Sequence, residues 1–391
     1  MSGSRARKTD DAFMRRAVEL AEKGLGETNP NPMVGCVIVK GGRVVGEGFH
    51  SRAGLAHAEP MALASAGSRA RGATAYVTLE PCAPNPAKRT PPCAPRLIDA
   101  GIARVVVGAR DANPFVRGRG LAALRKAGIK VDEDVLYEDC ARLTRHFNFA
   151  CARRRPWVCL KAGMTLDGRI ATASGASKWI TSPKQRRAAR SLRRLFDGVL
   201  VGIGTASADD PRLLPAPPVR RPFARIVLDP RLRLSAESRL AASAHRNALL
   251  VVCAQGADGN RSALENKGAM IVEIPSAVDG RLDPVLIVDA LFGLGLHSVL
   301  VEGGSETHGS FVRAGLFDEV VLFRAPVLLG GRGSRSVVGG DDPTTLSEGR
   351  RLKPARPETS ATLHYGLEDG VGLDVEVYEP APARRSNRAE H

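Results

Sequence analysis

Short apolar runs rich in β-branched residues recur along this chain and alternate with helix-like segments. Examples are "VVVGA" at 105–109, "GVLVGIG" at 198–204 and "ARIVLD" at 224–229. Runs of this length, bounded by turn-forming residues, are typical of buried strands. Because strands that alternate with helices pack as a sheet covered by helices, the sequence predicts an α/β fold.

An Arg-rich segment that contains a proline interrupts this alternation and divides it into two halves. The segment reads "HFNFACARRRPW", and we place a domain boundary within it, at about 150–156. A chain of 391 residues is also longer than one compact core usually supports. We therefore expect one domain over 10–152 and a second over 156–379, with flexible tails at 1–9 and 380–391.

The first half should begin with a helix over 10–22, in which apolar residues recur at helical spacing. "NPNPMVGCVIVK" and "RVVGEGFH" then predict two strands joined by a tight turn at Gly41 and Gly42. After His57, "PMALASAG" predicts a helix that ends at Gly67. The next strands and helices continue this pattern as far as the junction.

The charge balance is strongly basic, with 57 Lys and Arg residues against 41 Asp and Glu and a formal net charge of +16. This favours anionic ligands such as phosphorylated metabolites or nucleic acid, although an Arg-rich surface that only meets water produces the same numbers. Aromatic residues make up 4% of the chain, which is few for a surface that stacks bases. The apolar stretches are shorter than the ~20 residues needed to cross a bilayer, and the polar start differs from a secretory signal. We expect a cytoplasmic protein with no nucleic-acid or membrane partner.

Seven cysteines are spread along the chain. This odd, scattered set argues against a disulfide framework and for buried thiols with a metal site. Cys82 follows the strand-like "ATAYVTL", Cys93 opens a helix-like segment, and His57 lies in "HAEP". One imidazole and two thiolates suit a catalytic zinc ion, which keeps a fourth position open for water.

Glu59 lies two residues beyond His57, beside such a metal and not on it. There its carboxylate can take a proton from water and hand it to a leaving amine. His-x-Glu followed later by Pro-Cys-x-x-Cys is the signature of zinc deaminases, but ten residues separate Cys82 from Cys93 here. Pro60 fits the first turn of a helix, where its missing amide proton has no helical partner. The positive end of that helix would then face the site.

Several further motifs resemble one enzyme family. "NPNPMVGCVIVK", "GEGFHSRAG", "GATAYVTLEPC", "RTPPC" and "DANP" resemble the deaminase half of the bifunctional riboflavin-biosynthesis deaminase–reductases. "WVCLKAGMTLDGRIATASGASKWITSP", "TASADDPRL" and "VEGGSETHGSF" resemble the reductase half. The resemblance extends from about residue 10 to 379, with the motifs in the family's order.

The resemblance implies two consecutive reactions on a small phosphorylated pyrimidine. The first domain would have a cytidine-deaminase-like α/β/α fold, in which His57, Cys82 and Cys93 bind Zn²⁺ and Glu59 is catalytic. It would deaminate 2,5-diamino-6-(5-phosphoribosylamino)pyrimidin-4-one and release ammonia. The second domain would have a dihydrofolate-reductase-like α/β fold and use NADPH to reduce the ribose at C1′ to a ribityl chain. A homo-oligomer is compatible with this assignment.

The resemblance also implies binding residues in the second half. Without it, "ITSPKQRRAARSLRRL" predicts only a helix capped by Thr181 or Ser182 with a solvated cationic face, and the Gly303-Gly304 turn is a weak sign of a pyrophosphate site. The residues implied to bind the cofactor are Gly163, Trp179, Thr205, Asp209, Gly304, Ser305, Glu306, Thr307, His308, Gly309 and Ser310. Those implied to bind the substrate are Ser177, Arg193, Leu213 and Glu302.

Two stretches depart from the family pattern. "APNPAKRT", between Cys82 and Cys93, is longer than usual and lacks a histidine, and "RLLPAPPVRRP" leaves the usual substrate-binding arginine unplaced. The first departure keeps one alternative open, a protein whose zinc is structural and whose reductase alone is active. A nucleic-acid deaminase is a second alternative, which the ten-residue spacing and the second α/β half disfavour. Ammonia release tests the first alternative, and turnover of single-stranded oligonucleotides tests the second.

Overall fold

The computed structural model describes residues 2–84, 91–276, 279–356 and 374–381. Within these ranges the helices are α1 Ser2–Glu22, α2 Ala58–Ala66, α3 Cys93–Asp99, α4 Arg119–Lys126, α5 Tyr137–Leu143, α6 Arg145–Arg153, α7 Pro183–Leu192, α8 Ile203–Asp209, α9 Arg239–Ala242, α10 Arg261–Asn266, α11 Pro284–Gly293 and α12 Ser305–Ala314. The strands are β1 Gly35–Lys40, β2 Arg43–Phe49, β3 Thr74–Leu79, β4 Arg104–Ala109, β5 Lys130–Asp132, β6 Trp157–Thr165, β7 Arg169–Ala171, β8 Gly198–Gly202, β9 Ala224–Leu228, β10 Leu249–Ala254, β11 Met270–Ile274, β12 Ser298–Val301, β13 Glu319–Ala325, β14 Arg335–Ser336, β15 Leu352–Pro354 and β16 Val375–Pro380. The alternation of strands and helices confirms the predicted α/β class.

The first sheet has the strand order β2-β1-β3-β4-β5. The strands β2, β1 and β3 are antiparallel, and β3, β4 and β5 are parallel. Gly41 and Gly42 join β1 to β2 with φ of 55° and 75°, which confirms the hairpin because such tight turns need positive φ. Alternate residues of β1 face opposite sides: Val37 packs with α1, whereas Ile38 packs with α2, α3 and α4. Helices therefore cover both faces of this sheet, as the α/β/α prediction requires.

A glycine on β2 lets helix α2 rest directly on the sheet. A Cβ atom at Gly48 would lie 2.4 Å from the carbonyl oxygen of Ala58 and 2.7 Å from the Cβ of Met61. Any larger residue would push the first turn of α2 away from β2. This close approach positions His57, the residue before α2, beside the sheet.

The second half forms a larger sheet in the order β11-β10-β9-β8-β12-β6-β13-β16-β15. The first seven strands in this order, from β11 to β13, are parallel to one another. β16 is antiparallel to β13, and β15 is antiparallel to β16. One apolar cluster includes Ile287 of α11 and Phe311 of α12, and another includes Leu240 of α9 and Leu264 of α10. The carboxyl ends of the parallel strands meet at one edge, where sheets of this kind bind ligands.

Helix α7 begins as its sequence predicts, with Ser182 and not Thr181 as the cap. The Ser182 hydroxyl accepts the N–H of Gln185 at 3.2 Å, and the Gln185 side-chain oxygen accepts the N–H of Ser182 at 2.9 Å. Pro183 occupies the first helical position. This reciprocal capping box satisfies two amides that have no helical partner.

Two strands are shorter than their apolar patterns predict. β1 begins at Gly35 and not at Asn29, because Pro30 and Pro32 lack the N–H groups that a strand uses. β8 ends at Gly202 and helix α8 follows at once, where we expect a strand through residue 204. Packing explains this helix, because Ile203 and Ala206 of α8 are buried in one apolar cluster with Val199 and Val201 of β8.

The amino-terminal helix is longer than predicted, since α1 begins at Ser2 and covers most of the segment 1–9 that we expect to be a flexible tail. Arg, Ala and Lys residues in this segment favour helix. Most of the expected tail at 380–391 lies outside the described residues. None of the helices in the described part of the chain is long and apolar enough to span a membrane.

Candidate active sites

The three predicted zinc ligands come together at the carboxyl end of β3. His57 directly precedes α2, Cys82 follows β3 by three residues, and Cys93 is the first residue of α3. Their ligand atoms all lie within 4.8 Å of one another. The Nδ1 of His57 is 3.3 Å from the Sγ of Cys93 and 3.8 Å from the Sγ of Cys82. Within the described ranges this is the one such group of histidine, cysteine or carboxylate side chains, and one nitrogen with two sulfurs is a donor set that fits zinc.

The two thiols of this site share their protons unequally. Cys82 accepts a hydrogen bond from the backbone N–H of Cys93 at 3.3 Å. The hydrogen bond from the Cys93 thiol lowers the pKa of Cys82 to about 4, and a hydrogen bond from His57 contributes less. The hydrogen bond to Cys82, together with burial, raises the pKa of Cys93. The pair therefore holds one thiolate and one bound proton. A divalent cation would displace that proton, because both sulfurs ligate metals as thiolates.

Glu59 lies in the first turn of α2, with 3% of its surface exposed. Burial raises its pKa, and the negative charge on Cys82 adds to this effect. A carboxyl group whose proton affinity is raised in this way suits proton transfer near neutral pH. Pro60 is the third residue of α2, where an amide has no helical partner, as the sequence predicts. The catalytic role of Glu59 stays a prediction.

His50 lies behind His57, and sequence reasoning did not identify it. Its Nδ1 is 3.0 Å from the carbonyl oxygen of Ala56, and its Nε2 is 3.4 Å from the side-chain nitrogen of Asn31. The neutral ring that donates from Nδ1 and accepts at Nε2 satisfies both contacts, and burial, which lowers the pKa of His50, favours this neutral form. The His50 and His57 rings meet edge to face, with centroids 5.6 Å apart. The sequence signal that could have identified it is a histidine as the last residue of the predicted strand "RVVGEGFH".

A buried carboxylate supports the other side of the site. Glu80 accepts the N–H groups of Gly118 and Gly120 at 3.0 and 3.2 Å. These bonds hold the loop between β4 and α4, which contains the "DANP" motif. Val116 of this loop packs against the two cysteine ligands. Part of the segment between Cys82 and Cys93, residues 85–90, lies outside the described residues, so its departure from the family pattern has no structural counterpart here.

A second cluster lies at the carboxyl end of β12, beside the middle of β6. Glu302, directly after β12, accepts two hydrogen bonds from Arg193, at 2.7 Å from Nε and 2.9 Å from Nη2. The Nζ of Lys161 on β6 lies 3.8 Å from the same carboxylate. Arg193 also donates to the carbonyl oxygen of Leu214 at 2.8 Å, next to the buried Leu213. Three predicted substrate residues are thus brought together, and Lys161, a lone lysine in an apolar strand, joins them unpredicted.

The charges of this cluster stabilise one another away from bulk water. Burial alone would raise the pKa of Glu302, but Arg193 and Lys161 hold it at about 2. Burial also lowers the pKa of Lys161, and the Glu302 carboxylate opposes that effect. Two cations and one anion leave a net positive charge in a poorly solvated place. Such a site suits an anionic group such as a phosphate.

The predicted cofactor residues of α8 and α12 lie against each other. A Cβ atom at Gly304 would lie 3.1 Å from the hydroxyl oxygen of Thr205, and one at Gly202 would lie 2.6 Å from that of Thr307. The first turns of the two helices therefore meet beside the glycine turn. This arrangement agrees with the predicted position of a dinucleotide at a helix amino terminus.

Two more of these residues lie on neighbouring segments. Trp179 is 70% exposed, with the guanidinium carbon of Arg186 4.3 Å from its ring centroid. Asp209 forms an ion pair with Lys178 at 3.2 Å, and Ser177 is half-buried in the same segment. A large exposed aromatic ring is available to stack on a planar ligand.

The remaining predicted cofactor residues mostly contact the protein itself. His308 is buried, and its ring nitrogens lie 3.2 Å from the carbonyl oxygens of Val301 and Val337. Glu306 is exposed. The hydroxyls of Ser305 and Ser310 donate to the backbone oxygens of Ser336 and Thr307, Gly309 packs against Gly339, and Gly163 faces Thr181. These assignments stay predictions, and the structure leaves His308 and Gly309 little surface for a ligand.

Replacing Glu302 by glutamine should lower reductase turnover by about 10²-fold, because the guanidinium of Arg193 loses its bidentate partner and moves out of position. The two buried cations also lose their counter-charge, which should destabilise this domain by about 3 kcal/mol. Oxidation of a reduced nicotinamide cofactor and thermal unfolding measure the two effects. Glu273→Gln is a matched control: it removes an ion pair with Arg261 at the far edge of the same sheet and should leave turnover unchanged.

Two family models match the chain. The model of the cytidine and deoxycytidylate deaminase zinc-binding region matches residues 7–109, which contain His57, Cys82 and Cys93. The model of the RibD C-terminal domain matches residues 156–362, more than half of the 391-residue chain.

Individual relatives match over most of the chain. The riboflavin biosynthesis protein RibD of Actinobacillus pleuropneumoniae is 39% identical over 372 residues, which cover 95% of this chain and 96% of that protein. RibD of Aquifex aeolicus is 41% identical over 325 residues, or 83% of this chain and 89% of the relative. Among solved structures, Acinetobacter baumannii RibD is 35% identical with a TM-score of 0.81, covering 96% of this chain and 99% of its own. A Thermotoga maritima deaminase/reductase is 33% identical with a TM-score of 0.77, covering 96% of this chain and 100% of its own.

A zinc-type deaminase domain followed by a reductase domain makes this chain a bifunctional deaminase–reductase. The similarity to RibD proteins in sequence and structure covers nearly the whole chain. The chain belongs to the RibD family, the bifunctional deaminase/reductases of riboflavin biosynthesis. The predicted family, fold class and pair of activities are confirmed.

Proposed function

We propose that this enzyme deaminates 2,5-diamino-6-(5-phosphoribosylamino)pyrimidin-4-one and then reduces the ribose of the product to a ribityl chain. The Thermotoga maritima relative is described as a diaminohydroxyphosphoribosylaminopyrimidine deaminase/5-amino-6-(5-phosphoribosylamino)uracil reductase, which supports this substrate. The observation that carries the first step is the convergence of His57, Cys82 and Cys93 beside the buried Glu59.

In the deaminase site, His57, Cys82 and Cys93 would hold zinc, which when bound lowers the pKa of water to about 7 and so supplies a nucleophile. Glu59 accepts a proton on its carboxylate and passes it to the departing amino group, which leaves as ammonia. Burial raises the pKa of its carboxyl group, which favours its acting as a proton carrier. The N–H of Cys93 donates to the Cys82 sulfur and orients it.

In the reductase site, NADPH would supply the hydride that reduces C1′ of the ribose. The exposed ring of Trp179 and the hydroxyl of Thr205 beside Gly304 would contact this cofactor. Arg193 would bind the substrate phosphate while Glu302 holds its guanidinium in place through two hydrogen bonds. The net positive charge of this cluster supports an anionic substrate.

The substrate is a small pyrimidine, and we place the enzyme in the cytoplasm. All seven cysteines lie in the described part of the chain and are free thiols, a state that a reducing compartment preserves. A phosphorylated intermediate would be retained in the same compartment by its charge.

A coupled assay on the full-length chain tests both steps. Given the diaminopyrimidine and NADPH, the enzyme should release one ammonia for each NADPH oxidised, with ammonia appearing first and scaling with zinc content. If the enzyme oxidises NADPH with the deaminated pyrimidine but releases no ammonia from the diamino compound, the reductase-only alternative is correct.

A further inference from the structure

The loop that leads from α1 to β1 is held from outside by the reductase domain. We call residues 25–31 the clamped loop. Five hydrogen bonds join it to that domain: Arg221 Nε to the oxygen of Gly26 (2.8 Å), Arg194 Nη2 to the oxygen of Leu25 (3.2 Å), the N–H of Arg220 to Glu27 Oε2 (3.0 Å), Asn29 Nδ2 to the oxygen of Leu195 (3.1 Å), and His297 Nδ1 to the oxygen of Pro30 (3.2 Å). Five of the seven residues of the clamped loop thus have a partner in the other domain.

Arg221 is at the centre of these contacts, with 6% of its surface exposed. Besides Gly26, its guanidinium donates to the carbonyl oxygens of Phe196 at 2.7 Å and of Arg194 and Pro222 at 3.0 Å. One planar group therefore binds backbone oxygens from both domains. A lysine, with a compact ammonium group, cannot reproduce this fork.

The backbone of the clamped loop lies directly on the reductase. Gly26 has φ of 77°, and a Cβ atom there would lie 3.2 Å from both the Cβ and the Nε of Arg194. Glycine is suited to this position because it accepts positive φ and leaves room for the arginine.

The opposite side of the clamped loop contacts the segment that carries the metal ligand. The carbonyl oxygen of Glu27 accepts the N–H of Ala53 at 3.2 Å. The side-chain nitrogen of Asn31 lies 3.4 Å from Nε2 of His50, whose ring packs edge to face on His57. Two routes of direct contact therefore connect the reductase, through this loop, to the residues around the first zinc ligand.

We propose that the reductase domain supports one wall of the deaminase site, with Arg221 as the positioning residue that holds the clamped loop against His50, whose ring packs on the metal ligand His57. This inference rests on the proposed metal site. The loop contacts its own domain on one side and the reductase on the other, so loss of the reductase contacts frees it to shift at the site. Glu59 and the three ligands lie on other elements and keep their positions.

Arg221→Gln in the full-length enzyme tests this inference. We expect the KM for the pyrimidine in ammonia release to rise about tenfold, with kcat largely retained. About tenfold is the lower end of the losses caused by removing outer-shell groups that orient metal ligands. Zinc content and the reductase kinetics, measured on the same preparation with the deaminated substrate, should stay at wild-type values. Partial unfolding would instead lower kcat at unchanged KM and reduce both activities together.

Two control variants separate positioning from general destabilisation. Arg225→Gln removes another buried arginine of the reductase, one that donates to Ser243 and Asn247 and not to the clamped loop. Glu379→Gln removes an ion pair with Arg145 that also connects the two halves of the chain. Both should leave the KM of ammonia release unchanged.

His297→Ala keeps the test usable if Arg221→Gln does not fold, because His297 is half-exposed and contributes one hydrogen bond to Pro30. We expect its KM to rise about threefold, the equivalent of one such bond. An unchanged KM in a folded Arg221→Gln or, failing that, in His297→Ala overturns the inference. A wild-type enzyme without zinc or ammonia release would instead contradict the proposed function itself.

Discussion

Replacing Glu59 by glutamine should slow ammonia release by about 10³-fold, within the range that general acid–base catalysis contributes. Glutamine fills the same buried volume but cannot accept and return a proton. The three metal ligands lie on other residues, so zinc content should stay at one per chain, and NADPH oxidation with the deaminated pyrimidine should continue at the wild-type rate. Steady-state ammonia release, together with metal analysis of the same sample, measures this.

Glu80→Gln is the matched control for that variant. Glu80 is also a buried carboxylate of the first domain, but its oxygens accept the backbone N–H groups of Gly118 and Gly120. Because Glu80 holds the loop that packs on the cysteine ligands, the substitution should lower thermal stability and reduce deaminase turnover, but far less than Glu59→Gln does. If Glu59→Gln loses no more activity than Glu80→Gln, then Glu59 is a structural carboxylate and not the proton carrier.

Replacing Cys82 by serine should abolish zinc binding and reduce ammonia release by at least about 10³-fold. The loss follows because a bound metal supplies several kcal/mol of catalysis, and each 1.36 kcal/mol is about a tenfold change in rate. The first domain should also unfold at a lower temperature, since metal binding stabilises the fold that holds its ligands. NADPH binding should persist because Arg193, Glu302 and the glycine turn lie in the other domain.

Cys140→Ser provides the comparison for loss of a buried thiol. Cys140 is fully buried beside Gly108, and burial raises the pKa of its thiol to about 12. This variant should keep its zinc and its deaminase activity. If Cys82→Ser retains one zinc per chain, or if it loses NADPH binding to the same degree as ammonia release, the assignment of ligands within one domain is wrong.

The grouping of the candidate metal ligands could be predicted from the sequence because these residues stand at recognisable places. His57 precedes a helix and Glu59 lies in its first turn, Cys82 follows a strand and Cys93 starts another helix. The ends of a parallel strand and of two helices meet at one edge of a sheet, so local patterns alone bring these side chains together. The hairpin at Gly41 and Gly42 could also be predicted from a local pattern, because neighbouring residues form its turn.

Contacts between distant segments could not be predicted in this way. Glu302 lies 109 positions from Arg193, and their bidentate pair depends on the order of β8, β12 and β6 in the sheet. The sequence motifs marked both residues as ligand contacts but gave no sign that each binds the other. The bond from Arg221 to Gly26 spans 195 positions and joins two domains, and an arginine that binds carbonyl oxygens leaves no sequence pattern.

The spacing of proline and glycine decided where elements end. β1 starts later than its apolar run because two prolines precede it, and the backbone there forms the clamped loop. The buried state of His308 was also hidden, since a histidine in a glycine-rich turn has the same sequence pattern whether it faces a cofactor or a carbonyl oxygen.

X-ray absorption at the zinc edge of the purified wild-type enzyme tests the central claim most directly. With His57, Cys82 and Cys93 as ligands, we predict one zinc per chain, with two sulfur neighbours at about 2.3 Å and two nitrogen or oxygen neighbours at about 2.0–2.1 Å. The zinc signal should vanish in Cys82→Ser, which loses its metal, and should keep two sulfur neighbours in Cys140→Ser. An enzyme that releases ammonia at full rate without zinc, or one whose zinc has four sulfur neighbours, would contradict it.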